Sequence, residues 1–593
     1  MRGNRKLDRG MLVVAALSLA AWAPLLTDGY FLNAHDAAHS LIFVTQFEQS
    51  LRDGAILPRW GPDFAFGYGY PLFVVYNPLS AGLAGLLSLA GLGTLGGVKA
   101  VYLLGFVASG LTMYLFVRAL FGSAAGVLAG VLYVYAPYRF VDVYVRSAAA
   151  ESLSFVFPPL VLWAAYRLAH PRGPRLGVVI AGGLALGGLV LTHTGMTAMV
   201  APLLAAWALF LVARRGCRLR CHPAFALRSV GATVTSLAAM GGVALAVSAA
   251  YWLPMLAELR YTKSDQWTGY PFTDHFVYPF QLLSPDWGYG FSGPGPRDEM
   301  AFQLGILLVV LTLLAISRLG QRRSRGTVLF FLGATAVALA LLCPPALVIW
   351  EAVPLGSVIQ FPWRLLGIVA LTTAVVGGAA LPALADRLSP AWAAFNRRPG
   401  LLAPLLLLAV VASQAYAVPQ ATPVTANDVA PGAVVEFELR WENRTGATAF
   451  ATEIPTTSPL VEQYRAGRPL QKAVAADPEA TVTMLHHGGS SDVVRVTAPR
   501  PTELTFLTYD FPGWTVYLNG ERVPHRRAGP HALIALDVPA GEHVVAARFE
   551  HTPVRLAGEL ISGVTLLGLL ALALGVLWRR AARAVNTCLA AGR

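Results

Sequence analysis

Charged residues are scarce in this sequence. They make up 13% of its 593 residues, whereas a water-soluble domain carries about 25%. Hydrophobic residues make up 55%, and the mean hydropathy is +0.56. The apolar residues also fall in stretches of about twenty, which is the length that crosses a hydrocarbon core. The scarcity of charge therefore excludes an ordinary soluble protein and predicts a chain that crosses a membrane many times.

Cysteine is equally rare, with four residues in the whole chain. Four cysteines spread over a basic loop, a span and the tail do not make a disulfide framework. Cys217, Cys221 and His222 have the spacing of half a metal site, but no second half lies nearby. Nucleotide fingerprints are also lacking, because Gly67-x-Gly69 has neither a preceding strand nor a third glycine.

The formal net charge of +13 comes largely from arginines in short runs between apolar segments. That distribution follows the positive-inside rule, so it indicates orientation and argues against a nucleic-acid partner. A basic cluster at residues 1–9 precedes the first apolar run at 11–26, a pattern that signal peptides share. We expect an uncleaved first span instead, because the residues that follow it look functional.

Twelve spans with both termini in the cytoplasm satisfy the positive-inside rule best. If the apolar run at 73–92 also crossed, the N-terminal basic cluster would lie opposite the five later basic runs. This run contains Asn77-Pro78 and several glycines, which suits a re-entrant or juxtamembrane helix. We therefore expect a protein of a bacterial inner membrane with spans near 11–26, 98–117, 123–138, 150–168, 176–192, 196–213, 229–254, 301–317, 327–350, 363–385, 401–418 and 556–578.

This orientation leaves four polar segments outside the cytoplasm. Three are loops at 27–97, 139–150 and 255–300, and they belong to a transmembrane domain at 1–419. The fourth, at 420–555, alternates polar and apolar residues at 434–439 and 493–496 and contains an Asn519-Gly520 turn signal. It is predicted to be an extracytoplasmic β-sandwich, followed at 556–593 by a final span and a basic cytoplasmic tail.

The first outer loop carries the strongest candidate for chemistry. Asp36 lies between His35 and His39, shortly after the first span. A carboxylate beside imidazoles can act as a general base, with a histidine holding its geometry. Asp36 and His39 could instead be ligands of a divalent cation such as Mg²⁺ or Mn²⁺. The structural alternative is that Asp36 caps a juxtamembrane helix and the histidines decorate an interface.

Glu151 lies at the outer end of another predicted span. An ionisable residue is costly at such a position, and one found there is often functional. Glu151 could equally form a structural ion pair with Arg146 or Arg139 in the same loop. The sequence leaves both interpretations open.

His193 and Arg364 mark the outer ends of two further spans. A lone histidine at a helix end is more often structural, so His193 is the weaker of the two. Arg364 could neutralise a lipid phosphate. It could also be an interfacial anchor beside Trp363, which is the commoner role of Arg and Trp at that depth.

Several strings together resemble a family of large bacterial membrane proteins labelled "6-pyruvoyl-tetrahydropterin synthase-related". They are His35-Asp36-Ala37-Ala38-His39, Leu57-Pro58-Arg59-Trp60, Gly67-Tyr68-Gly69-Tyr70-Pro71, Arg146-Ser147-Ala148-Ala149-Ala150-Glu151, Tyr251-Trp252-Leu253-Pro254 and Gln360-Phe361-Pro362-Trp363-Arg364. The string Phe511-Pro512-Gly513-Trp514 and the turn at Asn519-Gly520 are similar to the outer domain of YfhO-like membrane proteins. Both families look like members of the GT-C superfamily of membrane glycosyltransferases. Nothing in the chain provides the fold of the small soluble zinc enzyme in the first label.

The resemblance implies transfer of a sugar from a polyprenyl-phosphate donor in the membrane lipid to a glycan or other envelope acceptor. It implies that Asp36 is the catalytic base or a metal ligand, and that Glu151 or Asp142 is the second acidic residue. The chain lacks the Asp-x-Asp of the metal-dependent oligosaccharyltransferases in that loop. The implied substrate-binding residues are His35, His39, Arg59, Arg146, His193 and Arg364.

Three functions remain after the sequence has been read. The first is the GT-C-like glycosyltransferase, in which Trp60, Tyr68, Tyr70 and Tyr76 would suit stacking on sugar faces. The second is a non-catalytic membrane protein of the same fold whose outer domain binds a glycan or a partner protein. The third is a transporter or flippase of a lipid-linked precursor, although no central run of intramembrane charges marks a pathway.

Overall fold

The helices of this computed structural model define a multi-pass membrane protein. The structure describes residues 8–170, 175–218, 223–263, 271–316, 319, 322–353, 355–387, 402–441 and 445–591. Within these ranges nine helices are long and apolar enough to cross a membrane, or ten if the bent pair Ser123–Val134 and Pro137–Val145 is one span. Two further apolar helices, Ile306–Ile316 and Ala403–Tyr416, are shorter and fall at the remaining predicted spans.

The helices follow the apolar stretches closely, because a backbone in hydrocarbon must satisfy its own hydrogen bonds. Gly122, with φ at +98°, separates two of them at a sharp turn that a residue with a side chain would strain. In chain order the principal helices are α1 Arg9–Trp22, α2 Ala37–Arg52, α3 Leu72–Val75, α4 Leu79–Leu87, α5 Gly93–Phe121, α6 Ser123–Val134, α7 Pro137–Phe140, α8 Ala149–Ser154, α9 Phe157–Ala169, α10 Arg175–Thr192, α11 Thr194–Arg218, α12 Pro223–Glu258, α13 Ile306–Ile316, α14 Arg322–Leu341, α15 Leu347–Ala352, α16 Leu355–Ile359, α17 Leu366–Arg387, α18 Ala403–Ala412, α19 Gly432–Arg440, α20 Val461–Arg465 and α21 Pro553–Ala591.

The apolar run at 73–92 forms a helical hairpin with the span that follows it. Helix α4 has nine residues and continues as a π-helical turn at Ser88–Leu92, so this arm reaches about 20 Å at 1.5 Å per residue, less than the roughly 30 Å of a hydrocarbon core. The chain then turns at Gly91 and Gly93, where φ is positive. A side chain at Gly97 of α5 would overlap the Ala84 carbonyl, so the two arms touch. This is the geometry expected of a segment that does not cross alone.

The C-terminal region contains a β-sandwich, which we call the β domain (residues 473–549). One sheet has the strand order β3-β6-β10-β9 and the other β4-β5-β11-β7-β8, with every pair antiparallel. Apolar residues of both sheets form one core between them. The strands are β3 Ala473–Ala475, β4 Thr481–His487, β5 Ser491–Ala498, β6 Thr502–Tyr509, β7 Trp514–Leu518, β8 Glu521–Val523, β9 Arg526–Ala528, β10 Leu533–Val538 and β11 Gly541–Phe549, and β1 Gly29–Tyr30 pairs with β2 Thr422–Pro423 elsewhere.

The turn signals of this domain were predicted correctly. Asn519 and Gly520 join β7 to β8 with φ at +52° and +89°, as a two-residue hairpin turn of the type I′ family requires. The alternating segment at 493–496 lies within β5. Both features place antiparallel strands where alternation and Asn-Gly indicated them.

The predicted strand at 434–439 is wrong. The structure has helix α19, Gly432–Arg440, at this position. Its buried residues are Val434, Val435, Phe437 and Glu438, a spacing of i, i+1, i+3 and i+4 that forms one face of a helix. The sandwich accordingly begins later than 420, at β3.

Candidate functional site

A buried ionic cluster lies where several helices end on one side of the bundle, which we call the site end. Residues 137–151 supply most of it, since the chain bends at Ala136-Pro137 and again at Ser147, where φ is +58°. Gln360, with φ at +66°, shapes the segment that delivers Arg364. The members of the cluster are Tyr138, Asp142, Arg146, Glu151, His193 and Arg364.

Glu151 is the centre of the cluster. One carboxylate oxygen accepts a hydrogen bond from Tyr138 at 2.6 Å. The other accepts one from Arg146 at 2.8 Å and lies 3.5 Å from Nε of Arg364 and 3.8 Å from Nε2 of His193. Glu151 is fully buried, so its charge is balanced by side chains rather than by water.

Arg146 joins two carboxylates. Its Nη1 donates to Asp142 at 2.8 Å as well as to Glu151, and its guanidinium lies 4.6 Å from the centre of the Trp363 ring. The second carboxylate oxygen of Asp142 is buried without a hydrogen bond to the described residues. The sequence offered Arg146 or Arg139 as a structural partner of Glu151. The Arg146 contact is present, whereas Arg139 donates to the carbonyl oxygens of Ser152 and Gly105.

Asp36 sits at the edge of this cluster and begins helix α2. Its backbone N–H donates to the Arg146 carbonyl at 2.7 Å, and its side chain makes no capping hydrogen bond. The carboxylate is 39% exposed, and its Oδ1 lies 3.8 Å from Nδ1 of His39. Arg146, Arg364 and His193 all interact electrostatically with Asp36. The predicted residues of two loops and two helix ends thus converge, with Asp36 as the accessible carboxylate.

The three histidines have different surroundings. His35 contacts the Gly290 carbonyl with its Nε2 at 2.8 Å and stacks on Phe291 at 4.1 Å. His39 packs edge-on against Phe437 of α19 at 4.5 Å. Nδ1 of His193 accepts the Met196 N–H at 2.9 Å, so in a neutral ring its Nε2 carries the proton and faces Glu151. His193 is therefore the histidine that the structure brings closest to the acidic centre.

Arg364 is held by its own segment. Its Nη1 donates to the Ile359 carbonyl at 2.9 Å and to Oε1 of Gln360 at 2.8 Å. Its Nε is buried and has no hydrogen-bond partner in the described residues beyond the 3.5 Å ion pair with Glu151. Of the two arginines at the centre, Arg364 is the one with a donor still to satisfy.

Arg59 lies elsewhere. It donates to the Ala250 carbonyl at 2.5 Å and pairs with Glu559 of α21 at 3.3 Å. Close by, Arg555 binds Glu258 at 2.8 Å in a buried ion pair. Arg59 thus belongs to a second ionic group, which joins the first loop to α12 and α21.

The aromatic residues of the first loop do not present faces to solvent. Trp60, Tyr68 and Tyr70 are 2%, 5% and 1% exposed. Trp60 lies edge-on to Trp514 of the β domain at 5.3 Å. In this structure they are packing residues, because Trp60 and Tyr68 pack against the β domain and Tyr70 lies in an apolar cluster with Val434. The interpretation that these three residues stack on sugars is not supported. Tyr76 is partly exposed, and for it sugar stacking stays a prediction.

The residues present do not form a recognisable divalent-cation site. Within the described ranges no group of three His, Cys, Asp or Glu side chains is placed to hold a metal. Asp36 and His39 offer two donor groups, whereas Mg²⁺ is usually octahedral and prefers oxygen. We therefore derive no step through a metal. Cys221 and His222, the other sequence candidates, lie outside the described residues.

The β domain grips the helix that carries Asp36. The hairpin between β4 and β5 surrounds Asp53 at the C-terminal end of α2, where His486, Ser490 and Ser491 hydrogen-bond to its carboxylate. Burial alone would raise the pKa of Asp53, but these hydrogen bonds lower it. This contact between the β4–β5 hairpin and α2 requires glycines, since a side chain at Gly488 would overlap Asp53 and one at Gly489 would overlap Ser50.

A second anchor is the buried carboxyl of Glu438 in α19. It accepts the N–H groups of Ala65 at 2.8 Å and Phe66 at 2.7 Å. Both of these residues have positive φ, near +55°, a strained conformation for residues with a side chain. Burial raises the pKa of Glu438 to about 8. Sequence reading missed Glu438 and Asp53, although an acid inside the apolar segment 434–439 was a signal.

These features define a multi-pass membrane protein with a C-terminal β-sandwich and a buried acid–arginine cluster at one membrane edge. No family model matches the chain. It is 23% identical over 210 residues to an uncharacterised protein of Lactococcus lactis subsp. cremoris (strain MG1363), and the match spans about a third of each chain, 35% of this one and 34% of the other.

Three solved structures are distantly similar. The oligosaccharyltransferase AglB of Archaeoglobus fulgidus, in complex with an inhibitory peptide and a dolichol-phosphate, has a TM-score of 0.44 and 14% identity, covering 77% of this chain and 59% of its own. ArnT of Cupriavidus metallidurans bound to undecaprenyl phosphate gives 0.38 and 16%, covering 65% and 61%. The arabinofuranosyltransferase AftD of Mycobacteria gives 0.42 and 15%, covering 73% and 29%. Scores this low describe a distant likeness, and we base neither fold nor activity on them.

Proposed function

We propose that this protein is a GT-C-like membrane glycosyltransferase that transfers a sugar from a polyprenyl-phosphate donor to a hydroxyl of an acceptor. One observation carries the proposal. A half-exposed carboxylate, Asp36, is held by its backbone to Arg146 beside a buried group of Glu151, Arg364 and His193. An accessible base next to an unsatisfied guanidinium is what the reaction needs.

The two halves of the reaction would be divided between Asp36 and Arg364. Asp36 accepts the proton of the acceptor hydroxyl as the new bond forms between that oxygen and the anomeric carbon. The bond between the anomeric carbon and the phosphate oxygen breaks, and the polyprenyl phosphate leaves with its electron pair. Arg364 donates charge-assisted hydrogen bonds to that phosphate. No oxidant, reductant or metal is required for this balance.

Arg146 and Glu151 would position the other groups. Arg146 is shared by two buried carboxylates, so it has less charge to offer a phosphate than Arg364. Glu151 fixes the guanidinium planes of both arginines and the ring of His193. We accordingly assign phosphate binding to Arg364 and positioning to Glu151.

The proposal also assigns sides. The site end would face away from the cytoplasm of a bacterial cell, both termini would be cytoplasmic, and the β domain would be extracytoplasmic. The β domain would contact the glycan or envelope acceptor or cap the site. It packs on the first loop through Trp60 and Asp53. Asp53 ends the helix that Asp36 begins, so a movement of the β domain would shift Asp36 through this helix.

The test is donor binding and turnover by the purified protein. Wild type should bind an undecaprenyl-phosphate sugar and transfer the sugar to an acceptor from a panel. Asp36→Asn should bind the donor equally and lose turnover by about 10²- to 10⁴-fold. Asp28→Asn, which removes the same charge from an exposed position of the same loop, should behave as wild type. Absence of donor binding by wild type would contradict the proposal.

A non-catalytic protein of the same fold is the second candidate. The observation that favours it is the complete burial of Glu151 among Arg146, Tyr138 and Arg364, since ion networks of this kind also occur as purely structural features. In that case Asp36→Asn would be silent in every assay, whereas disruption of the β domain would abolish binding of a glycan or protein partner.

A further inference from the structure

The opposite end of helices α9 to α12 carries only one sign of charge. Between Glu151 and Glu258 the sequence has eight arginines and no aspartate, glutamate or lysine. Those that the structure describes lie at the ends of α9 to α12 farthest from Glu151 and His193; they are Arg167, Arg175, Arg214, Arg215, Arg218 and Arg228. We call this region the arginine end.

Two of these arginines are fixed on one face of α12. Arg215 donates from Nε to Oγ of Ser229 at 2.7 Å and from Nη1 to the Ala169 carbonyl at the end of α9. Arg175 donates from Nη1 to the Ala232 carbonyl at 2.5 Å and to Oγ of Ser236 at 3.3 Å. Their acceptors on α12 are spaced by three and four residues, so both guanidiniums lie along the same side of this helix.

Neither guanidinium has a counter-ion within the described ranges. No carboxylate forms an ion pair with Arg175 or Arg215 there, and the Nη2 groups of both form no hydrogen bond to a described residue. The two charges are close enough to repel each other. A fixed pair of cations with free donors matches the oxygens of a phosphate.

The surroundings indicate where that phosphate comes from. Leu176, which follows Arg175 on α10, is 54% exposed. Exposed leucines on membrane helices face acyl chains, and arginines at the helix ends lie at headgroup depth. Basic pockets between transmembrane helices are a recognised way of holding anionic lipid headgroups.

We propose that Arg175 and Arg215 form a binding site for the headgroup phosphate of an anionic phospholipid. The lipid would lie against α10 and α12, with its phosphate between the two guanidiniums and its chains along α10 beside Leu176. The site is independent of the proposed transferase activity, because it lies at the far end of the same helices.

The test measures lipid retention by the full chain. Purified wild type is titrated with phosphatidylglycerol and with phosphatidylcholine, and bound lipid is counted by native mass spectrometry. The double variant Arg175→Gln/Arg215→Gln should weaken phosphatidylglycerol binding by about ten- to thirtyfold, as expected when two cations are lost at a charged surface. Phosphatidylcholine binding should not change.

Arg228→Gln is the matched control, because Arg228 is exposed at the same end of α12. It should retain phosphatidylglycerol as wild type does, and an equal loss would show that only general charge matters and would overturn the proposal. If the double variant does not fold, the lipid titrations of wild type are sufficient to test the proposal. Equal affinity for both lipids, full competition by inorganic phosphate, or tighter binding of a polyglutamate peptide would each overturn a lipid site.

Discussion

The two ends of helices α9 to α12 differ in how the charges of their arginines are balanced. At the site end two arginines are balanced by the buried carboxylates of Asp142 and Glu151. At the arginine end two arginines are anchored to carbonyl and hydroxyl oxygens, with no carboxylate among the described residues. The first group pairs its charges internally and leaves one oxygen of Asp142, one donor of Arg364 and the half-exposed Asp36 for further contacts, whereas the second needs a counter-ion from outside the chain.

This difference suggests a division of labour along the same helices. A network that satisfies itself can hold groups in fixed geometry, which favours chemistry on a bound substrate. Two arginines without a carboxylate partner favour binding of an anion, and a bound anionic lipid fixes the position of the helices in the bilayer. The first loop at the site end is further held by the β domain through Asp53 and by helix α19 through Glu438, and the arginine end is far from both along the helices.

The largest effect is expected from Glu151→Ala. Removal of this carboxylate leaves Arg146 and Arg364 short of a buried counter-charge, and breaking a buried pair from one side costs about 3–5 kcal/mol. Thermal unfolding in detergent should show a large loss of stability. Arg215→Gln at the other end should cost less than about 1 kcal/mol. Equal losses of stability in Glu151→Ala and Arg215→Gln would contradict the difference between the two ends.

A smaller effect is expected from Gly489→Ala. The added methyl group overlaps Ser50 and should push the β4–β5 hairpin away from α2. This should lower the free energy of unfolding by about 1–3 kcal/mol. Hydrogen exchange should rise in residues 37–52 and stay unchanged in α10 to α12. Gly293→Ala, where a methyl group meets open space, should leave both regions unchanged. Unaltered exchange in α2 would show that the β domain does not hold this helix.

The smallest effect at neutral pH is expected from Glu438→Gln. With a pKa raised to about 8, folded Glu438 is mostly protonated at pH 7 while the unfolded carboxyl is ionised, so part of the cost of burial is already present there and glutamine removes it. Glutamine also keeps only one acceptor oxygen for the N–H groups of Ala65 and Phe66, so the two contributions oppose each other and the net change at pH 7 should be about 1 kcal/mol. Because the folded pKa is raised, the contribution of this group is fully present below the unfolded value and is lost as pH rises through about 8. Wild type should therefore lose stability relative to the variant on going from pH 5 to pH 9. A parallel pH profile of the two proteins would contradict this assignment.

Local sequence predicted those parts of the fold that depend on local pattern. Apolar length placed the membrane helices, and Asn519-Gly520 placed a hairpin, because both signals lie within a few residues of their effect. Asp36, Glu151, Arg146 and Arg364 were named as candidates because ionisable residues are conspicuous at span ends, and their roles stay predictions. Their convergence could not be read from the sequence, since it depends on how helix ends more than two hundred residues apart pack together.

The wrong strand prediction at 434–439 has a physical cause as well. The segment at 434–439 alternates loosely enough to resemble a strand, but packing against the first loop selects the helical face that buries Val434, Val435 and Glu438. Arg59, which the resemblance made a candidate for substrate binding, is a different case, since that role stays a prediction and only its position in the second ionic group was unforeseen. Its partner, Glu559, lies 500 positions away, and no local pattern contains that information.

The most direct test of the account compares one cation from each end. Undecaprenyl phosphate is titrated into wild type, Arg364→Gln and Arg175→Gln in nanodiscs that contain excess phosphatidylglycerol, which occupies the arginine end, and its dissociation constant is measured. The account predicts that Arg364→Gln weakens binding by about tenfold or more, as the loss of a hydrogen bond to a charged group does, while Arg175→Gln binds as wild type. Weakening by Arg175→Gln alone, or by neither variant, would contradict the assignment of the donor phosphate to the site end.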